Sequence, residues 1–448
     1  MTITRRQLLA GTAASVLPRV LKSADQADLS RMIMRSPKPE DLEMPLDGFL
    51  NWITPVDRFF VRCHTYTPHV NLSEWTLKID GKVDRPVTIT MDDLRKFPRV
   101  ELVAVVECAG NGRSFYEPRV AGTQWAYGSV GNGRWTGVRL RDVLQKAGIQ
   151  TAAREILFNG ADAPLGRMPD FQRSIPTAKA LDPDTLLAFE MNGQTLPVQH
   201  GFPLRVIAPG WASDSWVKWL EHIEVLDHEF DGFWMKSAYR HPLGPVAPGT
   251  AVNAADMTPV TDLKVKSVIA TPVARAQPGT VRVQGTAWSN SSPVAKVEVS
   301  TDAGKTWERA RLEGPATQYG WRLWRFDWRA AEGEYKLMSR ATNKAGQSQP
   351  LSQQWNPSGY LWNVAQPVSV IVSTQPSPAN PQPAVAATTP PESLKAACFG
   401  CHDDHMLVQQ HLTRAQWSRE IDKMTGWSAP LKPEDRAAIL DYLSTQFK

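Results

Sequence analysis

Short apolar runs punctuated by Gly and Pro dominate the first half of the chain. "ELVAVVEC" at 101–108 and "LRVIAP" at 204–209 have strand length and composition, whereas "RLRDVLQKAG" at 139–148 reads as a helical piece. The mixture from about Asp47 to Asp231 predicts an α+β domain, with its outer limits at 47–255. From about Val260 the pattern changes to short alternating strands: "TVRVQGTAW", "AKVEVSTDAGKTW", "WRLWRFDW" and "GEYKLMSRA". Strands at this spacing, joined by polar or glycine turns, predict an immunoglobulin-like β-sandwich over 260–372.

Residues 373–392, "STQPSPANPQPAVAATTPPE", are rich in Pro and Ala and nearly uncharged. Such a stretch cannot bury a core, so it is expected to be a semi-rigid linker crossed by few contacts. The remaining segment, 393–448, is small enough to need a staple. It ends on "KPEDRAAILDYLSTQF", where Pro433 can open a helix that places Ile439, Leu440, Leu443 and Phe447 on one face.

"CFGCH" at 398–402 supplies the staple. Cys-x-x-Cys-His is the attachment signature of c-type haem, with Cys398 and Cys401 forming thioethers and His402 held against the iron. The segment "WSREIDKMTGW" offers Met424 as a sixth ligand from a loop; His411 or an open site are the alternatives. His405 and Met406 follow His402 too closely on the same local helix to reach the opposite haem face. A small all-α cytochrome c domain is expected.

The formal charge of +5 on 448 residues, with scattered Lys and Arg, excludes a nucleic-acid binder. The opening "MTITRRQLLAGTAASVLP" pairs Arg5 and Arg6 ahead of a modest apolar stretch, which resembles a twin-arginine signal within 1–27 and implies a periplasmic protein. No stretch is apolar and long enough to span a membrane. Of the four cysteines, Cys398 and Cys401 belong to the haem motif, and Cys63 and Cys108 remain.

The residues around those two cysteines combine a soft metal ligand with donors for anions. "FFVRCH" at 59–64 carries Arg62 and His64; "VECAGNGRSF" at 106–115 sets Cys108 near Arg113; His200, Arg205 and Lys218 form a basic set. In combination they resemble the sulfite oxidase family of molybdenum enzymes from Asp47 to about Val372. The resemblance implies Cys108 as the protein ligand to molybdenum, and Phe60, His64, Asp162, His200, Arg205, Trp216 and Lys218 as molybdopterin contacts. It further implies Arg62, Arg113, Trp125 and Tyr239 in the substrate pocket, and the β-sandwich as a dimerisation domain of a homodimer. Cys63 reads as a small buried filler.

The expected function is oxidation of sulfite to sulfate, with electrons passing singly through the tethered haem to an external cytochrome c. Alternatives are a sulfane-sulfur dehydrogenase of a thiosulfate-oxidising system, an S- or N-oxide reductase, and a non-enzymatic electron carrier. Two departures stand out. The animal enzymes carry an N-terminal haem b domain, replaced here by the C-terminal haem c segment. The animal family also has an arginine near the position of Ser358, in "WNPSGYLWN" at 355–363.

Overall fold

The computed structural model describes residues 29–375 and 390–447. The signal reading at 1–27 and the interior of the linker lie outside the described residues.

Two sheets frame the first domain. In one, Val130–Arg139 lies between Arg99–Glu107 and Leu186–Met191, all antiparallel, and Arg205–Ile207 pairs with Leu186–Met191. In the other, the order is Val87–Ile89, Leu77–Gly81, Leu220–Leu226, Glu155–Gly160, Gln172–Pro176; only the Leu77–Gly81 and Leu220–Leu226 pair is parallel. The helix Leu140–Ala147 buries Leu140, Val143, Leu144 and Ala147 among Leu77, Ile79, Ile156, Phe158 and Ile223. Each such leucine contributes about 1.5–3 kcal/mol by leaving water. A ribbon of Ile33–Pro37, Glu40–Glu43 and Val61–Arg62 completes the domain, so its ordered chain begins ahead of the expected boundary at Asp47.

The expected β-sandwich is present. Lys266–Thr271, Gly279–Trp288, Arg322–Ala330 and Arg311–Glu313 form one sheet. Ala274–Ala276, Val368–Val372, Gly333–Asn343, Val294–Ser300 and Glu308–Arg309 form the other. The period of two is plain in Arg322–Ala330, where Trp324, Trp328 and Ala330 are buried while Asp327 and Arg329 are exposed. A buried polar joint fastens the sandwich to the first domain. Lys266 pairs with Glu107, and Trp288 Nε1 donates to the same carboxylate at 2.7 Å.

Beyond the linker the chain forms helices Glu392–Cys398, Asp404–Val408, Arg414–Gly426 and Arg436–Gln446. They enclose Leu394, Leu407, Leu412, Trp417, Ile421, Ile439, Leu440 and Leu443. Two expectations need correction here. Met424 lies inside the helix Arg414–Gly426, which Thr413 and Gln416 start with a reciprocal capping box, and not in a loop. The unit also does not hang free on its linker, because it is seated on the first domain. Gln409, Gln410 and Gln416 bond to backbone between Arg119 and Gln124, and Trp427 packs at 5.8 Å from Phe233 and 6.2 Å from Trp234.

Candidate active site

The strand Arg99–Glu107 delivers Cys108 into a tight turn. The Cys108 amide donates to Ser129 O and its carbonyl accepts from Asn111 N, both at 2.9 Å. The Asn111 side chain ties the turn to Glu107 and Ser129. Gly112 follows at φ +90°, and a Cβ there would come within 2.6 Å of the Trp362 ring. Only glycine meets both demands. The chain then turns through Arg113–Phe115, bringing Arg113 back over the site.

Arg113 is buried. Its Nη1 donates to Thr123 O at 3.1 Å, its guanidinium sits 5.1 Å above the Tyr360 ring, and its Nε has no partner. Gly122 leaves room for it: a Cβ at that φ of +119° would lie 2.7 Å from Nη1. Arg62 ends the third strand of the ribbon and pairs with fully buried Asp41 at 3.2 Å. Asp41 also accepts from Thr123 Oγ1 at 2.8 Å, so one threonine touches the supports of both arginines.

Burial works against the Arg62 charge, but Asp41, Tyr239 and Cys108 outweigh it and hold the group above its usual range. Burial pushes the Cys108 thiol up, against the pull of Arg62. His64 is driven well below its ordinary value by burial and then by Arg62 and Lys218, so its imidazole is neutral. His64 Nε2 and Tyr239 Oη are 2.7 Å apart. Phe171 stacks on the imidazole at 3.9 Å. Tyr239 itself has φ +51°, an uncommon conformation for a bulky residue. Arg173, paired at 2.6 Å with Asp214, sits 5.2 Å above the tyrosine ring.

Behind Cys108 one cavity brings together Phe60, His64, Asp162, Arg205, Trp216 and Lys218, with His200 beside them. Those are the seven positions expected to contact molybdopterin. Burial lowers Arg205 to about 9 and, with Lys218 and Arg205 adding to it, lowers His200 to about 3. Burial raises Asp162 to about 7, partly offset by Lys218. Neither Arg205 nor Lys218 forms an ion pair with a carboxylate among the described residues, and Arg205 Nε lacks a partner. Inward-facing cations without a carboxylate ion pair, beside a soft thiol, fit an anionic pterin carrying molybdenum.

A second cavity of about 550 Å³ opens in front of Cys108. Arg62, Cys108, Arg113, Trp125 and Tyr239 line one part of it. Cys398, Cys401, His402, Met406 and Met424 line another. Two cysteines, a histidine and a thioether around one space fit a covalently attached haem. Met406, set aside on sequence grounds, therefore reaches the same space as Met424. Burial raises the Cys398 thiol to about 11 and lowers His402. Ser358 and Tyr360 also border this cavity, so the segment 355–363 contributes no cation where the resemblance implies an arginine.

Known proteins match the same two domains. The family profile "Oxidoreductase molybdopterin binding domain" covers residues 64–234, and "Mo-co oxidoreductase dimerisation domain" covers 257–373. Sulfite oxidase of Gallus gallus is 35% identical over 347 residues, which is 73% of this chain and 75% of that protein. The chain belongs to the sulfite oxidase family. Human mitochondrial sulfite oxidase, also in that family, is 35% identical over 76% of this chain and 66% of its own length. The solved structure of the sulfane dehydrogenase SoxCD from Paracoccus pantotrophus superposes with a TM-score of 0.66 at 26% identity, covering 83% of this chain and 96% of that one. The chain is thus a molybdopterin-binding oxidoreductase, and no described helix is long and apolar enough to cross a membrane. The sulfite oxidase resemblance did not point to Asp41, Thr123, Arg173, Asp214 or Tyr360. They support the site from ordinary-looking positions, and no motif in the sequence marks them.

Proposed function

We propose that this protein oxidises sulfite to sulfate and passes the electrons through a haem c on its C-terminal unit to an external cytochrome c. One observation carries the reading: a single cavity joins Cys108, Arg62 and Arg113 to Cys398, Cys401 and His402. The reaction consumes one water and releases two protons and two electrons, which leave one at a time.

Cys108, with the buried set Phe60, His64, Asp162, His200, Arg205, Trp216 and Lys218, would hold the molybdopterin. When bound, molybdenum supplies the two-electron oxygen transfer and the haem supplies one-electron relay. Arg62 and Arg113 neutralise the substrate anion, and their planar guanidinium groups suit oxyanion geometry. Asp41 and Thr123 keep both from swinging away. Trp125 and Tyr239 wall the pocket, and the neutral His64 orients the Tyr239 hydroxyl. Cys398 and Cys401 would carry the haem thioethers, and His402 and Met424 would supply ligands to its iron.

The twin arginines at the start support export to the periplasm, and the dimerisation domain supports a homodimer. The likeness to SoxCD favours one second reading, a dehydrogenase for sulfane sulfur presented on a carrier protein. Purified protein mixed with sulfite and oxidised cytochrome c separates the two. Stoichiometric sulfite-driven reduction is expected; activity only with a carrier-bound sulfane would replace sulfite as the substrate.

A further inference from the structure

The loop from Arg119 to Gln124 lies between the C-terminal unit and the two pocket arginines. On its outer side, Gln410 grips Gly122 twice: its Oε1 accepts from Gly122 N at 3.3 Å and its Nε2 donates to Gly122 O at 3.0 Å. Gln409 Oε1 accepts from Gln124 N at 2.8 Å, while its Nε2 donates to Arg35 O at 2.9 Å. Gln416 Nε2 donates to Arg119 O at 3.0 Å. Gln410 is only 4% exposed, so its two bonds stand in low dielectric where they hold geometry well.

On its inner side the same loop holds the anion pocket. Thr123 O accepts from Arg113 Nη1, and Thr123 Oγ1 donates to Asp41, which pairs with Arg62. Gly122 is packed so closely on the Arg113 guanidinium that a single added carbon would collide with it. Within this short loop, one residue carries the grip of Gln410 and the next carries both arginine supports. A shift of the outer contact cannot leave the inner ones where they are.

We propose that the C-terminal unit completes the anion pocket through this loop, with Gln409 and Gln410 acting as positioning residues for Arg113 and, through Thr123 and Asp41, for Arg62. Docking and anion binding then reinforce each other by the same factor in both directions, as linkage requires. The anion pocket is at full strength only when the unit that would take the electrons is seated. The proposal rests on the reading of Arg62 and Arg113 as the anion site.

Inorganic sulfate, titrated into the full-length holoprotein by calorimetry, probes the pocket without turnover. Wild type, Arg62→Gln and the double variant Gln409→Ala/Gln410→Ala are compared, with amide hydrogen exchange followed over residues 119–126. The double variant should bind sulfate about 5-fold more weakly, since a buried hydrogen bond contributes roughly that factor. Its 119–126 amides should exchange faster, and added sulfate should slow their exchange most in wild type. In turnover with ferricyanide as acceptor, which does not need the seated unit, the same variant should raise the sulfite KM and leave kcat within about 2-fold, a split that general loss of folded protein would not produce. Gln409→Ala alone, at a half-buried position, repeats the comparison should the double variant misfold. Unchanged sulfate affinity beside faster loop exchange would overturn the coupling while leaving the anion site intact. Equal affinity in wild type and Arg62→Gln would instead overturn the anion-site reading, and the coupling with it.

Discussion

Arg62 keeps a charge in a place that ought to reject it. Burial alone would favour its neutral form, and the offset comes from Asp41, which is itself fully buried. Breaking such a pair strands the survivor, so the arginine is fixed in place as well as charged. Replacing it by glutamine removes a charge-assisted contact worth about 1.5–3 kcal/mol. Arg62→Gln should therefore raise the sulfite KM roughly 10- to 100-fold, read from steady-state kinetics as a fall in kcat/KM. Cys108→Ser exchanges a soft thiolate for a hard oxygen. Sulfite-driven haem reduction should be nearly abolished and molybdenum content should drop, while the haem absorbance stays normal; full activity would remove Cys108 from the metal. These residues were legible only in combination, through the family resemblance that "FFVRCH", "VECAGNGRSF" and the basic set of His200, Arg205 and Lys218 carry together. Asp41 was not legible, since an acidic residue in "PEDLE" looks like any solvated one until the ribbon carries it under Arg62.

Elements were legible where one period ruled them. The sandwich strands alternate over much of their length because one face packs and the other is wet, most plainly in Arg322–Ala330, and each of the four runs singled out in the sequence overlaps a strand. The helix Arg414–Gly426 escaped notice because it buries little besides Trp417 and Ile421, four residues apart. Its real signal was the Thr413–Gln416 capping box, which sits just before Trp417. The short turn after Cys108 had no period at all; it is set by Gly112. Gly112→Ala meets both a left-handed backbone and the Trp362 ring. A loss of about 2 kcal/mol or more is expected, seen as a fall of roughly 4–8 °C in the thermal transition. Molybdenum-dependent turnover should fall further than folded fraction, because the strain is applied between Cys108 and Arg113.

Across the whole molecule the linker misled in one respect. Its composition shows that it forms no core, but composition says nothing of where the unit beyond it comes to rest. That rest position is set by glutamines and a tryptophan scattered along and just beyond the helices Asp404–Val408 and Arg414–Gly426, which no local pattern reveals. Cutting after Thr374 and removing the C-terminal unit should abolish most cytochrome c reduction while ferricyanide remains an acceptor. Adding the unit back in trans should restore the rate along a saturable curve, since the seat is specific. Undiminished cytochrome c reduction after the cut would mean that this unit lies off the electron path. The joint of Lys266, Trp288 and Glu107 has a consequence of a different kind. Glu107 is the residue before Cys108, and until the sandwich has folded its carboxylate lacks the cation and the indole that make its burial tolerable. Closure of the turn that presents Cys108 is therefore tied to folding of residues 257–373, which are made later and supply both partners of the carboxylate beside it.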